Sequence, residues 1–367
     1  METNTPHPLW KFKKLTAVHI ELSTKCNAAC PGCARFTMNS PIIDNRLILT
    51  DITFDNFRTW FPENLISNIY NWIICGNLGD PMACKDVYKI TEYIAKNSPG
   101  NIQINTNGGL RSKGLYKQIG DLFVNHNTGN RNITFSIDGL ADTNHIYRRN
   151  VDWTKVWNNL MSYVSTGARA HWDFLHFKHN SHQVDEARRL AEKYGINFVL
   201  KNPFGVDGTA MPVYNKNLKF DYNIEHHTLN QFPSYTPAGP DYVAEFPTKI
   251  KAEGVIHCMS KRGSPSDQYE ILEIYVDALG RVFPCCFVGN RMFIRHMSDA
   301  IQVQQLQESI GDKNNLHQYS LEEIFKNGVL DHYSKSWNNK SIAVCWNQCG
   351  KNTSKERHID NLLKDAQ

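Results

Sequence analysis

The sequence predicts an α/β fold in which helices pack outside a parallel sheet. Between residue 17 and about residue 203, six short runs rich in β-branched and aromatic residues alternate with five longer amphipathic runs. Such a series of strands with helices between them is typical of a parallel sheet that is closed, or partly closed, like a barrel. An open doubly wound sheet is the alternative, because the order of the strands cannot be read from one sequence.

The individual elements follow from hydrophobic periodicity. The predicted strands are Ala17–Thr24, Asn71–Gly76, Asn101–Asn107, Asn132–Asp138, His171–Phe177 and Asn197–Asn202. The predicted helices are Thr53–Trp60, Asp86–Asn97, Lys113–Phe123, Trp153–Ser165 and His182–Tyr194. In the last helix the apolar residues recur at three- and four-residue steps, as one buried helical face requires; they are Val184, Ala187, Leu190, Ala191 and Tyr194.

The chain is predicted to divide at about residues 203 and 256. Residues 1–203 form the predicted barrel, residues 204–256 a connecting segment with weak periodicity, and residues 257–367 a second, smaller domain. In that domain, Asp277 to Gly280 lie between two apolar runs and predict a hairpin turn. Ser320 and Glu323 form a capping-box pattern, which predicts the start of a helix.

Composition excludes several classes of protein. No run of 18 apolar residues is present, and the N-terminus has no apolar stretch behind its charges, so neither a membrane span nor a secretory signal is predicted. The net charge of +4, without a dense Lys/Arg run, disfavours nucleic acid as a partner. A reducing cytoplasm is therefore the predicted location, where ten cysteines indicate metal binding or catalysis rather than disulfides.

Three cysteines lie close together directly after the first predicted strand. Cys26, Cys30 and Cys33 fall within eight residues, and thiolates on so compact a loop can reach three irons of one cubane cluster. A three-cysteine site leaves one iron open, as a cluster that binds a cofactor or substrate requires. The alternatives are a zinc knuckle and incidental thiols; zinc in a structural site normally takes four protein ligands, and no fourth ligand is close in sequence.

This segment resembles the signature of the radical S-adenosylmethionine (SAM) superfamily, Cys-x3-Cys-x2-Cys after the first strand of a partial (β/α)6 barrel. The resemblance covers about the first 200 residues and implies a 4Fe–4S cluster whose open iron binds the methionine moiety of SAM. Reductive cleavage of SAM then gives a 5′-deoxyadenosyl radical, which abstracts hydrogen from a substrate. One position departs from the family: the residue before the third cysteine is usually aromatic and is Gly32 here. Phe36 is a candidate to replace that ring.

The resemblance also implies cofactor-binding residues at the ends of the later strands. Gly79 and Asp80 lie in a segment similar to the family's Gly-Gly-Glu-Pro, which meets the methionine amino group. The residues after strands three and four resemble segments that line the sugar and the methionine, although ordinary turn chemistry explains the same residue types. The implied set is Gly79, Asp80, Asn107, Ser136, Asp138 and Arg148; the catalytic residues cannot be named.

A second set of cysteines lies near the C-terminus. Its hairpin cysteines and late Cys-x3-Cys pair resemble the twitch domain, the shorter relative of the SPASM domain, which binds one auxiliary 4Fe–4S cluster. The ligands implied are Cys258, Cys285, Cys345 and Cys349. Cys286 is expected to point away from Cys285 if the strand alternates there. A four-cysteine zinc site is the alternative.

The leading hypothesis is therefore a radical SAM enzyme with two 4Fe–4S clusters, an oxidoreductase or a modifier of a peptide or small molecule. A flavodoxin or ferredoxin-type electron donor is the expected partner. A peptide maturase of the same superfamily is one alternative, although the 25 residues before Cys26 leave no room for a leader-binding domain. An iron–sulfur or zinc protein without catalysis, such as an electron carrier, is the alternative of another class. It predicts four ligands at each site.

Overall fold

The computed structural model describes residues 10–37, 39–203, 210–226, 258, 261–262, 271–293, 298–334 and 342–349. The chain divides into two compact units. The larger, here the barrel unit, comprises Ile20–Pro237 and Asp277–Leu279; the other, the terminal unit, comprises Met1–His19, Ala238–Val276 and Gly280–Gln367. Strand β1, Leu15–Ile20, runs across the division.

The barrel unit is built on parallel strands that follow one another in chain order. They are β2 (Asn71–Ile74), β3 (Asn101–Thr106), β4 (Arg131–Ser136), β5 (Arg169–Leu175) and β6 (Asn197–Lys201). Ile20, the last residue of β1, accepts a hydrogen bond from the Cys75 N–H through its carbonyl group (3.2 Å). The order never reverses, whereas a doubly wound sheet reverses at its switch point. The sheet therefore has the barrel-type order.

Helices connect these strands. They are α1 (Phe54–Trp60), α2 (Glu63–Ile66), α3 (Val87–Asn97), α4 (Lys113–Asn125), α5 (Asn144–Tyr147), α6 (Trp153–Val164) and α7 (Val184–Lys193). The five predicted helices are confirmed within a few residues. The four-residue helices α2 and α5 were not predicted, because one turn is too short to display a helical period.

A hairpin lies within the predicted connecting segment. Strands β7 (Ala210–Tyr214) and β8 (Phe220–Glu225) pair antiparallel, and the apolar side chains of Met211, Val213 and Ile224 form a buried cluster with Phe177. This hairpin was not predicted from the sequence. Strand β8 buries only one side chain, Ile224, so it shows no alternation, and β7 contains a proline, which is uncommon in strands other than edge strands.

The terminal unit contains a second antiparallel element. Strand β10 (Ile271–Val276) pairs with β11 (Val282–Phe283) and with β9 (Lys261–Arg262). The predicted hairpin is confirmed, and Gly280 in its turn has a φ of +79°, which favours glycine.

Helices complete the terminal unit. They are α8 (Cys286–Asn290), α9 (Ser298–Ile310), α10 (Leu321–Lys326), α11 (Val329–Ser334) and α12 (Ala343–Cys349). The predicted capping box is confirmed at α10, where Ser320 and Glu323 each accept the other's backbone N–H. The Trp10 indole N–H donates to the Ser334 hydroxyl (3.3 Å), so the N-terminal segment packs with the last helices of this unit. No helix in the described ranges is long and apolar enough to cross a membrane.

Asn180 ties together the ends of β4 and β5. It is fully buried, and its amide group donates to the carbonyls of Asp138 and Leu175 (both 2.9 Å) and accepts the N–H of Phe177 (2.8 Å). We predict that Asn180→Ala lowers the free energy of unfolding by about 3 kcal/mol, because three buried backbone groups lose their partner. Chemical denaturation measures this change.

The matched control is Asn217→Ala, in an exposed turn of the same unit. It should change the free energy of unfolding by less than about 0.5 kcal/mol. Equal effects of the two substitutions would contradict the role given to Asn180.

Candidate active site

The three N-terminal cysteines lie on one loop of the barrel unit, directly after β1. Cys30 is buried and Cys26 and Cys33 are half-buried. The loop is held in place by main-chain bonds: Cys33 N–H donates to the Cys30 carbonyl (3.3 Å), and Ala29 N–H donates to the Arg149 carbonyl (2.9 Å). A loop at the carboxyl end of the first parallel strand is where barrels place their chemistry.

Nitrogen donors surround these sulfur atoms. The Cys26 Sγ accepts the N–H of Ala28 (3.3 Å) and the Asn107 amide (3.4 Å). The Arg148 guanidinium lies 3.8 Å from the Cys30 Sγ. Such donors stabilise negative charge on sulfur, so the surroundings suit thiolates that bind a metal.

Burial keeps the three thiols protonated in the metal-free chain. It raises the pKa of Cys26 to about 12, with the Asp80 carboxylate adding to the effect. Burial likewise raises the pKa of Cys33 to about 11 and also raises that of Cys30. Metal binding at this loop must therefore release protons.

The spacing of the thiols tests which metal group fits. Within the part of the chain that the structure describes, no three His, Cys, Asp or Glu side chains converge on a position for a single metal ion. A zinc ion draws all its ligands to one point, whereas each thiolate of a cubane binds a different iron. The donor set of the loop, three cysteine thiols, matches the number of irons that a cubane with one open iron binds through protein.

Asp80 joins three loops at this edge of the sheet. Its buried carboxylate accepts hydrogen bonds from the Thr106 hydroxyl (2.9 Å) and from the N–H groups of Asn107 (2.8 Å) and Met82 (2.9 Å). Its own N–H donates to the carbonyl of Lys25 (2.9 Å), the residue before the first cysteine. Burial raises the pKa of Asp80, and these hydrogen bonds oppose the rise.

Gly79 lies against the residues that precede the cysteine loop. A β-carbon at this position would lie 1.9 Å from the Ser23 carbonyl oxygen, which only glycine avoids. The N–H of Gly79 (2.9 Å) and that of Leu78 (2.7 Å) donate to Oε1 of the buried Glu21. The turn after β2 is therefore clamped by one carboxylate on each side, Glu21 and Asp80.

Asn107 lies directly beside the first cysteine. Its amide nitrogen donates to Asn27 Oδ1 (2.9 Å) as well as to Cys26, and its carbonyl oxygen accepts the Gly109 N–H (2.8 Å). These contacts hold the cysteine loop against the turn after β3.

Arg148 and Asp138 form a buried ion pair near Cys30. Arg148 Nε lies 2.6 Å from Asp138 Oδ2, and Asp138 Oδ1 accepts the N–H of Leu175 (2.7 Å). Burial alone would lower the pKa of Arg148, but the Asp138 carboxylate more than offsets this effect and the pKa is raised. The guanidinium therefore stays charged while the carboxylate has two donors from the protein.

Ser136 differs from the other predicted cofactor-binding residues in its hydrogen bonding. It is half-buried at the end of β4, and its hydroxyl has no hydrogen-bond partner among the described residues. The structure thus gathers Gly79, Asp80, Asn107, Asp138 and Arg148 into one network around the cysteine loop, with Ser136 at the end of the adjacent strand.

Gly32 faces the β7–β8 hairpin. Its φ is +78°, and a β-carbon there would lie 3.2 Å from the Met211 sulfur. The Gly32 N–H donates to the Asn39 side chain (3.0 Å), which in turn donates to the Pro212 carbonyl (3.1 Å). An aromatic residue at this position would be strained, so the departure from the family pattern has a local backbone cause.

The second cysteine set lies in the terminal unit. The pKa of the Cys285 thiol is raised well above its ordinary value, first by burial and then by the neighbouring thiols of Cys286, Cys345 and Cys349. Cys345 and Cys349 are four residues apart on α12 and so share a helical face. Helices α8 and α12 contact each other, in agreement with the effect of Cys286, Cys345 and Cys349 on the Cys285 thiol. Cys258 belongs to the same unit.

The expected geometry of Cys286 was wrong in one respect. Strand β11 ends at Phe283, and Cys285 and Cys286 lie at the N-terminus of α8 instead. Strand alternation therefore does not direct Cys286 away from Cys285. It follows that either cysteine is a candidate ligand.

Two residues of the site escaped the sequence reasoning, Glu21 and Asn27. A signal for Glu21 was available, because Glu21 and Ser23 alternate with the apolar Ile20 and Leu22, and a buried carboxylate on one strand face needs a partner. Asn27 had no such signal, since its partner Asn107 is 80 residues away.

Comparison with known proteins supports the fold. No family model and no curated protein sequence matches the chain. Among solved structures, SuiB from Streptococcus suis superposes with a TM-score of 0.51 and 12% identity, over 88% of this chain and 68% of SuiB. At this identity the likeness shows the fold alone. The α/β partial barrel predicted from the sequence is confirmed.

Two further structures are similar to lesser degrees. SuiB bound to S-adenosylmethionine gives a TM-score of 0.48 at 15% identity, over 75% of this chain. The structure of anSMEcpe with bound AdoMet gives 0.47 at 13% identity, over 87% of this chain and 79% of that one. The chain spans 61% of the S-adenosylmethionine-bound SuiB chain.

Asp80→Asn tests the network that surrounds the cysteines. The substitution keeps the shape but replaces one acceptor oxygen by an NH2 group, which faces N–H donors. We predict that the metal-free protein loses about 2 kcal/mol of unfolding free energy, measured by urea denaturation with circular dichroism. Asp142→Asn, on a partly exposed loop of the same unit, is the control and should lose less. A fully stable Asp80→Asn protein would show that this carboxylate does not hold the loops together.

Proposed function

We propose that this protein is a radical SAM enzyme, with Cys26, Cys30 and Cys33 holding a 4Fe–4S cluster and a reaction of the oxidoreductase or modifying type. When bound by these three cysteines, the cluster would supply the electron for reductive cleavage of SAM. The observation that carries the proposal is the cysteine loop itself: one buried and two half-buried thiols lie at the carboxyl end of the first strand, with nitrogen donors near Cys26 and Cys30.

The remaining residues are proposed to bind and orient SAM. Ser136 offers a hydroxyl that no described protein group uses, which suits a ribose or carboxylate oxygen. Asp80 and Gly79 shape the turn that would meet the methionine amino group. Asn107, Asp138 and Arg148 are proposed as cofactor-binding residues too. Because their side chains already have protein partners, we propose that their backbone groups, or guanidinium nitrogen atoms of Arg148 other than the Nε that donates to Asp138, face SAM.

An auxiliary 4Fe–4S cluster is proposed for the terminal unit. The proposed ligands are Cys258, Cys285, Cys345 and Cys349, with Cys286 as the alternative to Cys285. The closeness of Cys285 to three other thiols supports a shared metal site. Four thiolates leave no open iron, so this cluster would pass electrons or shape the substrate pocket.

The substrate is proposed to be a small molecule or a peptide. A peptide maturase is the second candidate function. An iron–sulfur or zinc protein without catalysis remains the candidate of another class.

A flavodoxin or ferredoxin-type protein is proposed as the electron donor. The segment after the cysteine loop exposes four large apolar side chains, Ile42, Ile43, Ile48 and Leu49, at 37–57% of their surface. The segment also pairs with the residues before Cys26, since the Thr24 hydroxyl donates to the Ile48 carbonyl (2.7 Å). An exposed apolar patch next to a redox site suits a transient protein partner. A reducing cytoplasm is the proposed location, supported by ten cysteines that form no disulfide.

Iron content and SAM cleavage test the division between the two cysteine sets. After anaerobic reconstitution, the wild type should carry about eight irons, two cubanes of four. Replacing Cys26, Cys30 and Cys33 by Ala should leave about half, and Cys30→Ala should release no 5′-deoxyadenosine with dithionite. Cys345→Ala/Cys349→Ala should lose the other half of the iron and still cleave SAM slowly.

Cys84→Ala is the matched control, because it removes a buried thiol outside both sets and should keep all the iron and activity. Circular dichroism must show that each variant folds, since metal binding and folding are coupled in small metal-held domains. A wild type with about four irons or stoichiometric zinc would remove the auxiliary cluster. Activity in the Cys30 variant would remove the proposed function.

Ser136→Ala tests the proposed SAM contact. We predict about fivefold weaker SAM binding to the reconstituted protein, because one neutral hydrogen bond contributes ~1 kcal/mol, with no loss of iron or stability. Isothermal titration calorimetry measures the affinity. The control, Ser165→Ala, removes an exposed hydroxyl at the end of α6 and should bind as the wild type does. Unchanged affinity in Ser136→Ala would exclude this residue from the cofactor site.

A further inference from the structure

Arg35 is a buried cation without adequate partners. Its side chain lies two residues beyond Cys33 and is 3% exposed. Its Nε and Nη1 atoms are buried and have no hydrogen-bond partner among the described residues. Leaving charged nitrogen atoms buried and unpaired costs several kcal/mol, so a sequence that keeps an arginine here needs an acceptor at this position.

The guanidinium has a fixed place beside the cysteine loop. One face lies over the Phe36 ring, with 5.1 Å from the Arg35 Cζ to the ring centroid. The main chain is anchored as well, because the Asp44 N–H donates to the Arg35 carbonyl (2.9 Å). Stacking on an aromatic face leaves the edge of the guanidinium plane, where its N–H groups lie, to meet an acceptor.

Arg35 lies in the same turn as Cys33, because the N–H of Phe36 donates to the Cys33 carbonyl (3.1 Å). In agreement with this position, the positive charge of Arg35 opposes the rise that burial causes in the pKa of Cys26 and Cys33. Among the described residues, no carboxylate forms an ion pair with it, whereas Arg46 in the same segment is paired with Asp44.

We propose that Arg35 donates hydrogen bonds to the sulfur atoms of the cluster held by Cys26, Cys30 and Cys33 and thereby raises its reduction potential. This inference rests on the proposed function. Cluster sulfides and thiolates accept hydrogen bonds, and such bonds shift the potential of iron–sulfur clusters. A fixed positive charge stabilises the reduced form, which carries one more negative charge, so the potential rises. Phe36 then serves as the platform for Arg35.

An anionic group of the substrate is the competing acceptor. It would leave the potential of the substrate-free cluster independent of Arg35. The potential of the reconstituted protein without substrate therefore separates the two possibilities.

The test is an EPR-monitored redox titration of the reconstituted protein, with and without SAM, combined with iron counting. Arg35→Gln should lower the ratio of reduced to oxidised cluster at a fixed potential about tenfold, equivalent to ~59 mV for one electron. Arg35→Lys, which keeps the charge but not the planar fork, should fall between Gln and wild type. Arg46→Gln removes a paired charge from the same segment and should leave the potential unchanged.

Each outcome decides the matter. Loss of iron from a folded Arg35→Gln protein, with full iron in Arg46→Gln, supports the contact through cluster retention; if Arg35→Gln does not fold, the potential of Arg35→Lys decides. A full iron count with an unchanged potential in Arg35→Gln overturns the inference and leaves the proposed function intact. A wild type that assembles no cluster overturns the proposed function itself.

Discussion

The arrangement of the site depends on the hydrogen bonds made by one buried carboxylate, that of Asp80. Its oxygens hold the turn after β3 through Thr106 and Asn107, and its own N–H holds the residue before Cys26. Asn107, fixed in this way, reaches the sulfur of Cys26. A carboxylate without water must be met by donors, so burial of Asp80 forces three loops from distant parts of the chain to one edge of the sheet.

The same principle applies on the opposite side of the cysteine loop. Asp138 is buried and paired with Arg148, whose guanidinium lies close to Cys30. Asn180 donates a hydrogen bond to the Asp138 carbonyl and so fixes the backbone there. The thiols thus lie among donors held by side chains that have few alternative positions. A site built in this way would suit the anionic cluster that we propose for it. Arg35 is the exception, because its buried Nε and Nη1 atoms have no acceptor among the described residues.

The main elements of the fold and the cysteine loop were predictable from the sequence. The parallel strands and their helices were found because each is long enough to display a period, and the cysteine loop because its spacing is local. The short helices α2 and α5 were not predicted, since one helical turn shows no period. The β7–β8 hairpin was not predicted either, since β8 buries only one side chain and so shows no alternation. The role of Asn27 depends on a contact with Asn107, which is 80 residues away. The expected strand alternation at Cys286 does not apply because β11 ends at Phe283, two residues before Cys285.

The central claim is that the cluster at Cys26, Cys30 and Cys33 has one iron without a protein ligand and that this iron binds SAM. Electron–nuclear double resonance of the reduced cluster measures this directly, with SAM labelled with 15N at its amino group. The account predicts a hyperfine coupling to the label in the wild type. It also predicts the same coupling in a folded Cys345→Ala/Cys349→Ala protein. A reduced cluster bound to the N-terminal cysteines that shows no coupling in the presence of saturating SAM would contradict it.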